Sequence, residues 1–123
     1  MDYNVSELTI RQDNINLLDI LYKFTNLTKL DCSYCKLSTL LELPNTIQIL
    51  KCYSNKLSVL PNLPNTLLKL YCSDNQLSVL PELPNTLQYL YCSNNNLLVL
   101  PELPNTLQEL YCCNTQFAVL PKL

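Results

Sequence analysis

Residues Leu67–Thr86 read LLKLYCSDNQLSVLPELPNT, and Leu87–Thr106 read LQYLYCSNNNLLVLPELPNT. Two consecutive segments of this likeness mark an internal period of 20 residues, and a period of that length signals a repeat architecture. Working outward, six copies begin at Val5, Leu27, Ile47, Leu67, Leu87 and Leu107. The first is 22 residues long, the next four are 20, and the last runs 17 residues to Leu123. Residues 1–123 therefore read as a single repeat domain, with a degenerate first copy as its N-terminal cap and a truncated last copy. No one copy can bury its own leucines; stacking makes the core.

Each copy carries apolar residues at positions 1, 4, 6, 11, 14 and 17. Over Leu87–Cys92 the pattern alternates, with Leu90 and Cys92 on one face and Tyr89 and Tyr91 on the other, which predicts a short strand. Ser93–Asn96 is a turn-forming cluster. In Pro101–Thr106 the prolines stand three apart, which fixes φ, removes donors and pushes the preceding residues out of the helical region. The return limb is then extended or polyproline-like. The first copy fits the same skeleton through Val5, Leu8, Ile10, Ile15, Leu18 and Leu21, with Asp13 at its ninth position. A rival reading makes Ile15–Phe24 an amphipathic capping helix, but the complete skeleton favours an ordinary coil. The expected fold is α/β by convention yet almost helix-free. It is a right-handed coil with a short parallel β-sheet on the concave face and an extended, polyproline-like convex side. Six strands about 4.8 Å apart give a stack roughly 25–30 Å long.

Composition narrows the function classes. The chain has 123 residues, 8 Lys or Arg against 10 Asp or Glu, and a net charge of -2. That balance gives no electrostatic case for nucleic acid or anionic lipid as partner. No apolar run approaches the ~20 residues of a membrane span. The opening MDYNVSELTI has neither a basic n-region nor an apolar h-region, so a secretion signal is not expected. The sequons at Asn4 and Asn26 are accordingly read as chance. Gly numbers 0, which excludes a glycine-rich phosphate loop and leaves Asn to serve the left-handed turn positions.

The 20-residue spacing resembles the leucine-rich repeat. Its L-x-x-L-x-L-x-x-N-x-L pattern is met by Leu67, Leu70, Cys72, Asn75 and Leu77. Ile47–Leu57 and Leu87–Leu97 repeat it. Cys35 stands at the ninth position of the second copy, which the family allows, whereas Asp13 and Thr115 are departures at the two ends. The L-P-x-L-P tails, as in Leu80–Pro84, resemble the short bacterial-type subclass known from secreted effectors of pathogenic bacteria. Asn-rich, Cys-containing arrays with such tails are also similar to predicted proteins of giant DNA viruses. Some bacterial relatives carry a ubiquitin-ligase domain after the repeats, for which this length leaves no room. The resemblance implies protein binding, host–pathogen interaction and a cytoplasmic setting, the host cytoplasm for a viral or effector protein.

Candidate functional residues follow from the period. Asn55, Asn75 and Asn95 recur among core leucines and are expected to tie the turns through their amides. Cys32, Cys52, Cys72, Cys92 and Cys112 recur at position six and read as small, reduced core groups. Zinc needs four converging ligands and a thiol nucleophile needs a base; His numbers 0, so no metal, cofactor or catalytic residue is expected and the chain reads as a non-enzyme. Inter-coil disulfides do not suit a regular parallel ladder. Cys113, at position seven, is expected to face outward. Carboxylates such as Asp31, Asp74 and Glu109 lie in different coils without an acid–base pairing.

Positions three, five and seven face out of the sheet and gather Tyr53, Tyr71, Tyr89, Tyr91 and Tyr111, bordered by Lys51 and Lys69 on one side and Glu109 on the other. Tyrosine is enriched at interfaces, but a tyrosine row also stabilises an exposed sheet as cross-strand pairs do. Both readings stand at this stage. The first expectation is a non-catalytic module binding a protein or peptide through the concave face, with no nucleic-acid or membrane partner. The alternative is an assembly element, a homo-oligomer formed through an exposed C-terminal coil. The last copy stops at Pro121-Lys122-Leu123 without a polar cap, and a parallel edge strand invites pairing.

Overall fold

The computed structural model of the chain describes residues 1–116. Six three-residue strands, β1 (Glu7–Thr9), β2 (Lys29–Asp31), β3 (Ile49–Lys51), β4 (Lys69–Tyr71), β5 (Tyr89–Tyr91) and β6 (Glu109–Tyr111), form one sheet in sequence order. Every pair is parallel. The register follows the repeat: Leu30, Leu50, Leu70 and Leu90 stand opposite one another. In β2–β5 the middle residue is buried and its two neighbours are half-exposed. The return limbs of the second to fifth copies carry only turns and bends. The architecture is the helix-poor leucine-rich-repeat coil that the spacing predicts. Leu123 and the ending Pro121-Lys122-Leu123 lie outside the described residues.

The first copy departs from the expected extended limb. Gln12–Lys23 forms a 3₁₀ helix, broken by non-helical backbone at Asn14 and Ile20. The expectation of an ordinary coil fails here, and the rival helix over Ile15–Phe24 holds in part, shifted earlier and wound as 3₁₀ turns. The reason is visible in the prolines. The later limbs carry them, and the stretch from Val5 to Asn26 has none, so its N–H groups remain free to make short helical bonds. Leu21 and Phe24 go into the core, and Tyr3 packs edge-on against Phe24 at 5.2 Å. The segment closes one end of the leucine stack, as a terminal repeat must.

Inside the turns, one side chain per coil answers the buried backbone. Asn75 Nδ2 donates to the Cys52 and Cys72 carbonyls at 3.0 and 3.2 Å, and its Oδ1 accepts from the Leu57 N–H at 3.0 Å. Asn95 makes the corresponding bonds to Cys72, Cys92 and Leu77. Asn55 does so with Cys32, Cys52 and Leu37, and also accepts from the Cys35 N–H. Each amide thus joins two coils. Cys35 substitutes a weaker tie, its thiol donating to the Ile10 carbonyl at 3.3 Å. Among the described residues, Thr115 bonds its own coil, at Cys112.

A second ladder was not anticipated. The threonine ending a tail donates its hydroxyl back to the carbonyl of its own copy's first residue, one full turn of the coil away: Thr66 to Ile47, Thr86 to Leu67 and Thr106 to Leu87, each at 2.7 Å. A third feature replaces glycine. Tyr34, Ser54, Asp74, Asn94 and Asn114, all at position eight, have φ between 53° and 58°. Left-handed backbone costs an L-residue roughly 1–2 kcal/mol, least for Asn and Asp, so these turns are set by the fold rather than by local preference.

Two substitutions test the amide ladder. Asn75→Leu leaves the Cys52 and Cys72 carbonyls and the Leu57 N–H without their partner, and it should cost about 1–3 kcal/mol. An unchanged urea midpoint would show that the ladder contributes nothing. Thr115→Asn supplies the missing donor and acceptor to the fifth coil and should raise the midpoint by about 1 kcal/mol in unfolding free energy.

Candidate functional site

Alternation along each strand and the parallel register together build three columns on the outward sheet face. The fifth-position column runs Asp31, Lys51, Tyr71, Tyr91 and Tyr111 across β2–β6. Because identical residues meet in register, Tyr71 and Tyr91 stack at 4.7 Å with planes 5° apart, and Tyr91 and Tyr111 at 4.8 Å and 8°. Offset stacking of this kind is worth about 0.5–1.5 kcal/mol per pair beyond area burial. Lys51 Nζ lies 5.4 Å from the Tyr71 ring centroid, on the row's β3 side. In the neighbouring column Lys69 Nζ lies 5.0 Å from the Tyr89 ring. Glu109 accepts a 2.6 Å hydrogen bond from the Tyr91 hydroxyl, and Tyr89 donates to Gln108 Oε1.

The structure thus brings Tyr71, Tyr89, Tyr91, Tyr111, Lys51, Lys69 and Glu109 into one surface. Tyr53 stands apart, packed edge-on at 5.3 Å against Tyr34. Tyr34 was missed in the sequence because position eight is a turn position, not a strand position; it is 72% exposed. The Ser73 and Ser93 hydroxyls were missed too. They accept from the Ser93 and Cys113 N–H groups and bind coil to coil at position seven. The equivalent Ser33 Oγ is buried without a partner. Val59, Val79 and Val99, all about half-exposed, form an apolar row away from the sheet face. The signal for that row was present, as valine recurs at position thirteen outside the core skeleton.

The electrostatics divide the thiols from the hydroxyls. Cys32, Cys52, Cys72 and Cys92 are buried. Burial pushes Cys52 and Cys92 from 9.0 up to about 12, and Cys32 and Cys72 rise for the same reason. Cys112 is half-buried and Cys113 is exposed. Tyr91 is raised to about 12, first by its hydrogen bond to Glu109, a carboxylate that opposes a phenolate. Among the described residues, no group of three or more His, Cys, Asp or Glu is placed to hold a metal ion, and no helix is long and apolar enough to cross a membrane.

A parallel sheet of one strand per twenty-residue coil, with an amide ladder at its turn, defines a leucine-rich-repeat solenoid. The family model described as Leucine Rich Repeat matches residues 26–47 and 86–110. Among solved structures, a Shigella effector LRR domain is 38% identical with a TM-score of 0.86, over 98% of this chain and 54% of that one. YopM from Yersinia enterocolitica WA-314 is 36% identical with a TM-score of 0.79, over 80% of this chain and 22% of that one. YopM from Yersinia pestis, a leucine-rich effector protein, is 37% identical with a TM-score of 0.78, over 80% and 28%. The chain therefore spans between 22% and 54% of the length of these structures. No curated protein sequence matches it. The chain belongs to the bacterial-type leucine-rich-repeat proteins.

The raised thiols make stability pH-dependent. In the unfolded chain a thiol loses its proton near 9.0, whereas folded Cys52 and Cys92 keep theirs to about 12. The unfolded state then binds fewer protons than the native one, so stability falls with rising pH. The urea midpoint should be flat below about pH 9 and decline steadily to about pH 12. A midpoint constant across that window would contradict the buried, protonated ladder.

Proposed function

We propose that the chain is a non-catalytic recognition module that binds a protein or peptide through the concave sheet face. The observation that carries this reading is the continuous aromatic row Tyr71–Tyr91–Tyr111, with Tyr89 beside it and lysines at its flank. Tyrosine offers a large, rigid contact area with a polar tip at small entropic cost, which is why it concentrates at binding hot spots. The core positions of the central copies are committed almost wholly to leucine, cysteine and asparagine, so the sheet face is where those copies differ and where a partner can be told apart. Likeness to effector domains of Shigella and Yersinia supports a role in host–pathogen protein binding. Thiols held protonated by burial suit a reducing setting such as the host cytoplasm and make poor nucleophiles, in keeping with a binding role.

A second reading, self-association through β6, has one observation of its own. Leu107 and Leu110 are partly exposed, while their counterparts Leu87 and Leu90 are wholly buried. Pairing of β6 with another copy would cover them. Light scattering over a concentration series checks this reading, and a monomer throughout would remove it.

The recognition reading is tested with a Tyr71→Ala/Tyr91→Ala/Tyr111→Ala chain in affinity capture from lysate. It should keep its cooperative unfolding with a modestly lower midpoint and lose at least about tenfold of the captured partner, as hot-spot truncation does. A folded triple variant that retains full capture would overturn the reading. Collapse of the fold would assign the row to sheet stability instead.

A further inference from the structure

The sheet face and the rest of the molecule differ in charge. The three outward columns hold four cations, Arg11, Lys29, Lys51 and Lys69, against three acids, Glu7, Asp31 and Glu109. The remaining sequence has four cations and seven acids. Glu42, Glu82 and Glu102 recur at one position of the return limbs, all exposed. An acidic protein therefore turns its least acidic surface outward at the aromatic row.

Within that surface the charges are ordered. Lys51 on β3 and Lys69 on β4 are diagonal neighbours, since Ile49 pairs with Lys69 and Lys51 with Tyr71. Diagonal positions on one face lie about 7–8 Å apart, within reach of long side chains. Both ammonium groups are laid over ring faces, at 5.4 and 5.0 Å from the Tyr71 and Tyr89 centroids. A cation on a ring keeps most of its N–H donors free, because the ring takes no directed hydrogen bond from them. At the other flank, on β6, Glu109 holds the Tyr91 hydroxyl. From β3 to β6 the row thus reads lysine pair, tyrosines, carboxylate, with Asp31 of β2 standing beside Lys51 at the outer edge.

We propose that this surface selects an acidic peptide segment, with aspartate or glutamate carboxylates seated at Lys51 and Lys69 and its apolar side chains laid on the tyrosines. The inference rests on the recognition reading above and gives the partner its chemistry. Glu109 repels a carboxylate at the β6 flank, so it fixes which way the segment lies. Fit comes from charge complementarity at the lysine pair, and register from like-charge exclusion at Glu109.

The probe is a phage library of random peptides, selected on the wild-type chain and on three variants. Peptides from the wild type should be enriched in Asp and Glu over the input. Their binding should weaken as NaCl is raised from about 50 to about 300 mM, as expected for exposed charges. Lys51→Glu/Lys69→Glu should lose about tenfold or more in affinity for the selected acidic peptides and shift the selected pool toward Lys and Arg. Lys56→Glu, an exposed change outside the columns, should leave both unchanged. A wild-type pool without acidic enrichment, or no enriched pool at all, overturns the proposal. So does an acidic pool that the lysine-pair variant binds equally well. If the tyrosine triple variant loses the peptides while the lysine pair does not matter, this inference falls and the recognition reading stands. If the folded tyrosine variant binds undiminished, both fall.

Discussion

A twenty-residue coil wound around leucines has to bend its backbone inward at a turn, and the carbonyls and amides there face a core without water. An unmade hydrogen bond at such a place costs more than a made one contributes. The amide of Asn55, Asn75 or Asn95 meets that need because a carboxamide donates twice and accepts twice from one planar group. A hydroxyl or a thiol carries one donor only. That difference is why the Thr115 side chain stays within its coil while Asn95 reaches the coil before it. The leucine stack supplies the free energy of association between coils, but the amide makes the inward turn tolerable and so permits the stack.

The same account explains what the sequence made legible. Strand positions and the asparagine column follow from a period in residue type, because a parallel register of identical coils turns sequence spacing directly into spatial alignment. The 3₁₀ segment Gln12–Lys23 breaks the period, and its skeleton residues Ile15, Leu18 and Leu21 satisfy coil and helix alike. The decisive difference lay in missing prolines, a negative feature that a match to the skeleton does not weigh. The threonine rungs were hidden for another reason. Thr66, Thr86 and Thr106 sit in a tail that looks like ordinary turn composition, and their bonds run back a full turn to the first residue of the copy, which no local pattern displays. Tyr34 was hidden because its exposure depends on a left-handed backbone at a position that other coils fill with Ser, Asp or Asn.

The structure also separates what holds the fold from what is free to vary. The asparagines and the position-seven serines join one coil to the next and the threonines close each turn end to start, so stability is spread over many equivalent ties and is largely nearest-neighbour in kind. The outward columns carry no such duty at every site. Lys29, Ile49, Lys69, Tyr89 and Glu109 occupy one column with five side chains of four kinds. A scaffold that repeats its core this strictly leaves side-chain variation to those columns.

Repetition sets a limit on how far aromatic stacking can be taken as a mark of function. Any residue at position five meets its own copy in the next coil about 4.8 Å away, the strand spacing, which is also a stacking distance for rings. Tyr71, Tyr91 and Tyr111 therefore stack as a direct consequence of a unit being copied, whether or not anything binds them. The informative residues are those at which copying stopped. Lys51 stands where the next three coils have tyrosine, and Lys69 and Glu109 flank Tyr89 in a column with no repeated neighbour from β2 to β6. An ammonium over a ring at one flank and a carboxylate on a phenol at the other give the face a direction that a uniform row of tyrosines would lack. A direction contributes little to the stability of a sheet, but a partner that has to lie one way round depends on it.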